Sequence, residues 1–169
     1  VFGNAWLDLK QVQQSGGAEL TRSMTPVRQQ VKGQVTAGDI WQVQLKFKVK
    51  DNTGWVVVSD PIPSGATILG NGLKGQDEVV NKDSEKQGLM NADGSFEAWP
   101  AYVERTFTHI RAYYEYLSWW RIGSNEGYTL TYQVRINNPG LLMLPPSQLE
   151  AMYEPDVRVD LPNQPLEVK

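Results

Sequence analysis

The sequence predicts an all-β fold, an antiparallel sandwich, on three observations. Two segments alternate apolar and polar residues one by one, from Trp41 to Lys50 and from Tyr128 to Ile136. Turn-forming clusters recur at roughly 8–12-residue intervals, the spacing of strands in sandwiches. No stretch carries a convincing helical period. A chain of 169 residues suits one domain, 1–169, that buries roughly 70% of its unfolded surface.

In chain order, Val1 to Val12 and Val27 to Val35 are expected as weaker strands separated by Ser15-Gly16-Gly17. The first residues show no signal-like segment, which favours a fragment of something longer. Trp41, Val43, Leu45, Phe47 and Val49 share one sheet face, opposite Gln42, Gln44, Lys46, Lys48 and Lys50. The lysines are expected as a solvated face that discourages edge pairing. Asp51-Asn52-Thr53-Gly54 is a turn signal, and Trp55-Val56-Val57-Val58 follows as the second strand of a hairpin. The two prolines of Asp60-Pro61-Ile62-Pro63 are expected to end that ladder.

Polar residues dominate from Asn71 to Asn91, which predicts a long surface loop around 71–98. Phe107 to Trp120 is dense in aromatic and β-branched residues. It is expected to form two strands, 105–112 and 116–122, with a turn near Tyr114-Glu115. Tyr128 to Ile136 is a strand closed by Asn137-Asn138-Pro139-Gly140. An edge strand is expected at Leu141 to Leu144, and a short one at Val157 to Leu161 before a proline-rich tail. Between them Pro145, Pro146 and Pro155 each lack an N–H and fix φ. The segment therefore reads as a rigid loop that presents Met152 and Tyr153 in a set place, which suits contact rather than chemistry.

Composition removes several functions. With no cysteine, thiol catalysis, cysteine–zinc sites and disulfides are excluded. A single histidine excludes a multi-histidine metal site, and no cofactor motif is present. A net charge of −3 offers no basic footprint for nucleic acid. No apolar run approaches the roughly 20 residues that span a bilayer. His109 lies in a strand-like aromatic region and reads as structural rather than as a catalytic base. The six tryptophans support an alternative function, a free-standing module binding glycan or peptidoglycan by ring stacking. A hydrolase built on a carboxylate pair is retained only formally, because no pair stands out.

At Asp60 to Gly65 (DPIPSG) and again at Leu144 to Val157 (LPPSQLEAMYEPDV), the chain resembles the C-terminal macroglobulin domain of bacterial α2-macroglobulins. Gly38-Asp39 stands where that family opens the strand before the proline motif, with Ile62 and Ser64 as mild substitutions. Phe107-Thr108-His109-Ile110 is similar to its histidine-containing strand, and Tyr128 to Gly140 to its tyrosine-rich strand and turn. The anchors cover roughly 40–157. Two departures concern local contacts: Tyr113-Tyr114-Glu115-Tyr116 replaces a charged turn, and the 71–98 loop is longer than usual.

The resemblance implies a macroglobulin-like sandwich that is one module of a periplasmic protease-trapping inhibitor, and not an enzyme. The parent could be anchored at the inner membrane. Implied partners are the thioester or thioester-like domain and neighbouring macroglobulin domains of the same chain. Target proteases engage the whole protein, and other periplasmic or inner-membrane-associated proteins are further partners. The resemblance also implies a binding loop, Glu150 to Glu154, in which Met152 and Tyr153 cover a thioester, with Glu150 and Glu154 flanking them. This chain, lacking cysteine, holds no thioester of its own.

Overall fold

The computed structural model describes residues 12–50, 53–69, 88–90, 96–98, 100–116 and 127–169. Its strands are β1 (Gln13–Ser15), β2 (Glu19–Arg28), β3 (Ile40–Lys48), β4 (Gly54–Pro61), β5 (Thr67–Ile68), β6 (Gly88–Met90) and β7 (Phe96–Ala98). They continue with β8 (Tyr102–Arg105), β9 (His109–Tyr116), β10 (Tyr128–Arg135), β11 (Gly140–Leu142), β12 (Ser147–Ala151), β13 (Arg158–Leu161) and β14 (Leu166–Val168).

One sheet runs β1-β13-β12-β4-β9-β8. The second runs β2-β3-β10-β7-β6, with β5 also on β10, and β11-β14 form a small third sheet. Every pairing is antiparallel except β10 with β7. The fold is the all-β sandwich that the alternation predicts. Its core lies between the two large sheets, where Val43, Leu45, Val56, Val58, Ile110, Ala112, Leu130, Tyr132, Val134, Leu149 and Val159 are buried.

The alternating segments form as expected. Tyr128 to Arg135 pairs residue for residue with Phe47 back to Ile40. Val43, Leu45 and Phe47 then meet Tyr128, Leu130 and Tyr132 on the inner face, which period-two patterning requires.

Several expectations are corrected. β3 and β4 are not a hairpin, because they lie in opposite sheets and the 49–53 link passes from one sheet to the other. The near-continuous burial of Val56, Val57 and Val58 marks β4 as an interior strand, flanked by β12 and β9. Nor does Pro61 end its ladder: β4 pairs with β9 as far as Pro61 opposite His109. The β12 ladder has already stopped at Ser59, so a proline there has one neighbour to satisfy, an edge-like position that tolerates it.

The aromatic segment turns earlier than expected. β8 and β9 are a hairpin whose tip is Thr106-Phe107-Thr108, while Tyr114 and Glu115 lie within β9. Threonine hydroxyls hold that tip, since Thr106 Oγ1 accepts from the Thr108 and His109 amides at 3.2 and 3.0 Å. In the N-terminal third, the strand occupies Glu19–Arg28, with a bulge between Pro26 and Arg28. Most of 29–35 is loop. Two short strands, β6 and β7, fall inside the expected 71–98 loop. The proline-rich tail ends in a further strand, β14. The expected strand at 1–11, most of the one at 116–122 and the remainder of 71–98 lie outside the described residues.

Asp39 organises the entry to β3. Its buried carboxylate accepts from the Gln30 amide (2.9 Å), the Thr36 amide (2.8 Å) and the Thr36 hydroxyl (2.8 Å). Desolvation opposes ionisation, yet the Thr36 and Gln30 donors outweigh it and hold the carboxyl below its ordinary range. A folded-state value below the unfolded one stabilises the protein above the unfolded carboxylate pKa of about 4. That stability is lost as pH falls through the lowered folded value. We expect wild type to exceed Asp39→Asn in urea midpoint at neutral pH, with the gap shrinking below about pH 4. A pH-independent gap would rule out this linkage.

Candidate docking site and the polar clamp beneath it

The Met152–Asp156 turn joins β12 to β13. Its prolines do not make Leu144 to Pro155 one rigid loop as expected. Pro145 and Pro146 end before Ser147, and Ser147–Ala151 then forms an interior strand between β4 and β13. The burial pattern within it, with Ser147, Leu149 and Ala151 buried and Glu150 exposed, is the alternation of a strand with one face in the core.

The turn is short and fixed at both ends. The Met152 amide donates to the Trp55 carbonyl at 2.8 Å, which continues the β12–β4 ladder by one residue. The Ala151 amide donates to the Val157 carbonyl (3.0 Å), and the Val157 amide to the Glu154 carbonyl (2.9 Å). From the other side, the Ser15 hydroxyl donates to the Asp156 carbonyl. Gly16, at φ 64°, sits where an added Cβ would lie 2.8–2.9 Å from Val157 and the Asp156 carbonyl. The β1–β2 turn is therefore wedged under the Met152–Asp156 turn.

Met152 is 49% exposed and Tyr153 74% exposed. Glu154 is exposed beside them. Of the four residues expected at the site, these three share the turn. Glu150 stands apart on β12, level with Val57 and Arg158 on the outer face of the sheet. The Ser15-Gly16 wedge and the Trp55 carbonyl were not expected. Gly16-Gly17 signals a turn, but nothing in the sequence says which distant loop it touches.

Gly16→Ala and Gly17→Ala separate the wedge from ordinary glycine freedom. Both positions have positive φ, but an added Cβ at Gly17 would meet nothing within 4 Å. Gly17→Ala should cost about 1 kcal/mol for the left-handed backbone. Gly16→Ala should cost more and should accelerate amide exchange at Met152 and Val157. Equal costs for the two would show that the contact does not matter.

At the end of β4 away from the turn, a polar cluster ties the two sheets together. Asp60 is fully buried. Arg22 Nε of β2 donates to its Oδ1 and Oδ2 at 2.9 and 3.1 Å. The Tyr132 hydroxyl of β10 and the Ser147 hydroxyl of β12 donate to the same carboxylate. Asn163 Nδ2 in turn donates to Ser147 Oγ (2.9 Å) and to the Pro145 carbonyl (2.8 Å). Burial disfavours the Arg22 charge, but Asp60 beside it more than offsets this and raises the guanidinium pKa. Burial first, and the Asp60 charge second, push the Tyr132 phenol well above its ordinary value. Asp60 gathers donors from three strands, as a structural clamp does, while one terminal nitrogen of Arg22 stays buried without a hydrogen-bond partner.

The remaining candidates offer less chemistry. His109 Nδ1 lies 3.1 Å from each of the Thr106 and Thr108 hydroxyls, the setting of a turn-bracing imidazole. Among the described residues no group of three or more His, Cys, Asp or Glu is placed to hold a metal ion. No helix among them is long and apolar enough to cross a membrane. Trp41 and Trp55, the tryptophans among the described residues, are half-buried. Trp6, Trp99, Trp119 and Trp120 lie outside them.

The family model described as the bacterial α2-macroglobulin MG10 domain matches residues 17–156. Solved structures share the fold. A Salmonella α2-macroglobulin point mutant aligns with a TM-score of 0.65 and 21% identity over 92% of this chain and 9% of its own. The native Escherichia coli α2-macroglobulin, from domain MG7 to the C-terminus, gives 0.63 and 18%, over 92% of this chain and 24% of its own. The native conformation of full E. coli α2-macroglobulin gives 0.65 and 17%, over 99% and 10%. The chain thus spans less than a quarter of each of these proteins. No match is found among curated proteins.

Proposed function

The chain belongs to the MG10 domain family of bacterial α2-macroglobulins, and from that premise we propose that it is the docking module of a protease-trapping inhibitor. Its Met152–Glu154 turn packs on the neighbouring thioester or thioester-like domain of the parent. The observation that carries this reading is the exposure of Met152 and Tyr153 on a turn fixed from both sides. A large apolar pair costs free energy in water, and a pre-ordered turn loses little entropy when it binds. A thioether and a phenol ring form an adaptable apolar cover, the kind that excludes water from a reactive bond. The wider reading, that the parent works outside the cytoplasm and entraps the protease that cleaves it, draws on the relatives. The E. coli protein has been solved in forms activated by elastase and by trypsin.

The test is Met152→Ala with Tyr153→Ala in the full-length parent. Both side chains are exposed and neither lies in the core, so the domain should remain folded, within about 0.5 kcal/mol of wild type. In a parent that carries a thioester, methylamine should inactivate the double variant faster than wild type. An unchanged rate would exclude shielding. In a parent without one, radical footprinting should find Tyr153 protected in the wild type, and free labelling there would exclude docking.

A further inference from the structure

The outer face of the six-stranded sheet carries an apolar strip in which Tyr102 is exposed, Tyr113 and Trp55 are half-buried and Val57 is buried. By register, Glu150, Val57, Tyr113 and Tyr102 stand side by side across β12, β4, β9 and β8. Trp55 and Glu115 form the next row toward the docking turn. Tyr102 is 63% exposed, although it lies on an edge strand. Its ring meets that of Tyr113 at 5.5 Å between centroids. The strip ends at Trp55, whose carbonyl holds the Met152 amide. Strip and turn are therefore continuous.

The charges on this face do not cancel. Arg111 pairs with Glu104 at 3.3 Å and Arg158 with Asp160 at 3.0 Å. Among the described residues, with both arginines engaged, Glu115 and Glu150 remain as surplus carboxylates on either side of the apolar strip, and Glu154 adds a third at the turn. Arg158 also feels the Glu150 charge, but one arginine cannot neutralise two carboxylates. An apolar, aromatic strip bordered by excess negative charge is complementary to a protein surface that carries lysine or arginine around apolar side chains. Arginine and lysine stems also stack well on tyrosine and tryptophan rings.

We propose that this outer face, from Tyr102 to Trp55, is a second docking surface continuous with the Met152–Tyr153 turn, and that its occupant is a basic face of the neighbouring domain in the parent chain. The proposal rests on the docking function above and specifies the chemistry of the partner. The turn supplies apolar cover at one point. The sheet face supplies breadth and electrostatic register, so that the neighbour seats in a single orientation.

Hydroxyl-radical footprinting of the full-length parent tests this, with Phe107, 95% exposed at the opposite end of β9, as the internal reference. The proposal expects Tyr102 and Tyr153 both to label several-fold more slowly than Phe107. Glu115→Lys with Glu150→Lys, or high salt, should restore labelling at Tyr102. If Tyr153 is protected while Tyr102 labels as fast as Phe107, the sheet-face proposal is overturned and docking by the turn stands. If both label freely, both readings fall. Protection of Tyr102 that survives charge reversal and salt would overturn the basic partner.

Discussion

Asp60→Ala is expected to lower stability by about 3–5 kcal/mol, the range for removing one partner of a buried ion pair. The cause lies less in the lost bonds than in what they leave behind. Arg22 would keep its charge within the sandwich without a counter-ion, and the Tyr132 and Ser147 hydroxyls would lose their common acceptor. Urea denaturation reads the loss directly. Combining Asp60→Leu with Arg22→Met should recover much of it, because no buried charge then needs a partner. A cost below about 1 kcal/mol for Asp60→Ala would mean that water reaches the cluster and the clamp is not dry.

Phe47→Ala is expected to cost about as much, roughly 3–5 kcal/mol, by a different route. Phe47 lies on β3 and is 2% exposed. Its ring meets Tyr114 of β9 at 5.0 Å and Tyr128 of β10 at 5.7 Å, and Tyr114 and Tyr128 are themselves 6.0 Å apart. The triad spans both sheets at the end of the sandwich nearest the Met152–Asp156 turn. Deleting the central ring leaves a cavity between two other aromatics that cannot easily collapse. Phe47→Leu should cost clearly less, since it retains most of the buried carbon. Equal costs would point to ring–ring geometry rather than volume as the source of the stability.

How far the sequence revealed this molecule depends on the range of each interaction. Trp41 to Lys48 and Tyr128 to Arg135 were legible because period-two alternation is written into each strand and needs no partner to be seen. The expected hairpin between Val49 and Trp55 failed for the opposite reason. A turn signal says that the chain reverses, not whether the second strand joins the same sheet or the facing one. Three consecutive valines were the clue that β4 sits in the interior of the sheet facing β3. The prolines around Ser147 were given too much weight, and the alternation of Gln148-Leu149-Glu150-Ala151 too little.

The exposed Met152–Asp156 turn was legible in position but not in support. Met152 and Tyr153 stood out as large side chains after a proline pair. Their anchors are Trp55, Ser15 and Gly16, roughly 100 to 140 residues earlier in the chain. Contacts between such distant residues leave no local pattern. The Asp60 clamp was hidden in the same way. Asp60 was read as part of a proline motif, and its partners Arg22, Tyr132 and Ser147 come from three other strands.

The placement of β1 against β13 has a kinetic consequence. The six-stranded sheet takes its strands in the order β1-β13-β12-β4-β9-β8, so β1 has no partner until β13, more than 140 residues later in the sequence, has been made. The Val35 carbonyl likewise waits for the Lys169 amide. A topology so rich in non-local pairings folds slowly, because the entropy of closing long loops precedes the reward. β2 and β3 can pair as soon as both are made, but β4 must wait for β9 and β12, and β1 for β13, and such unpaired edges are the state most open to aggregation. Completion of the six-stranded sheet should therefore wait for the release of its C-terminal strands, β12 and β13.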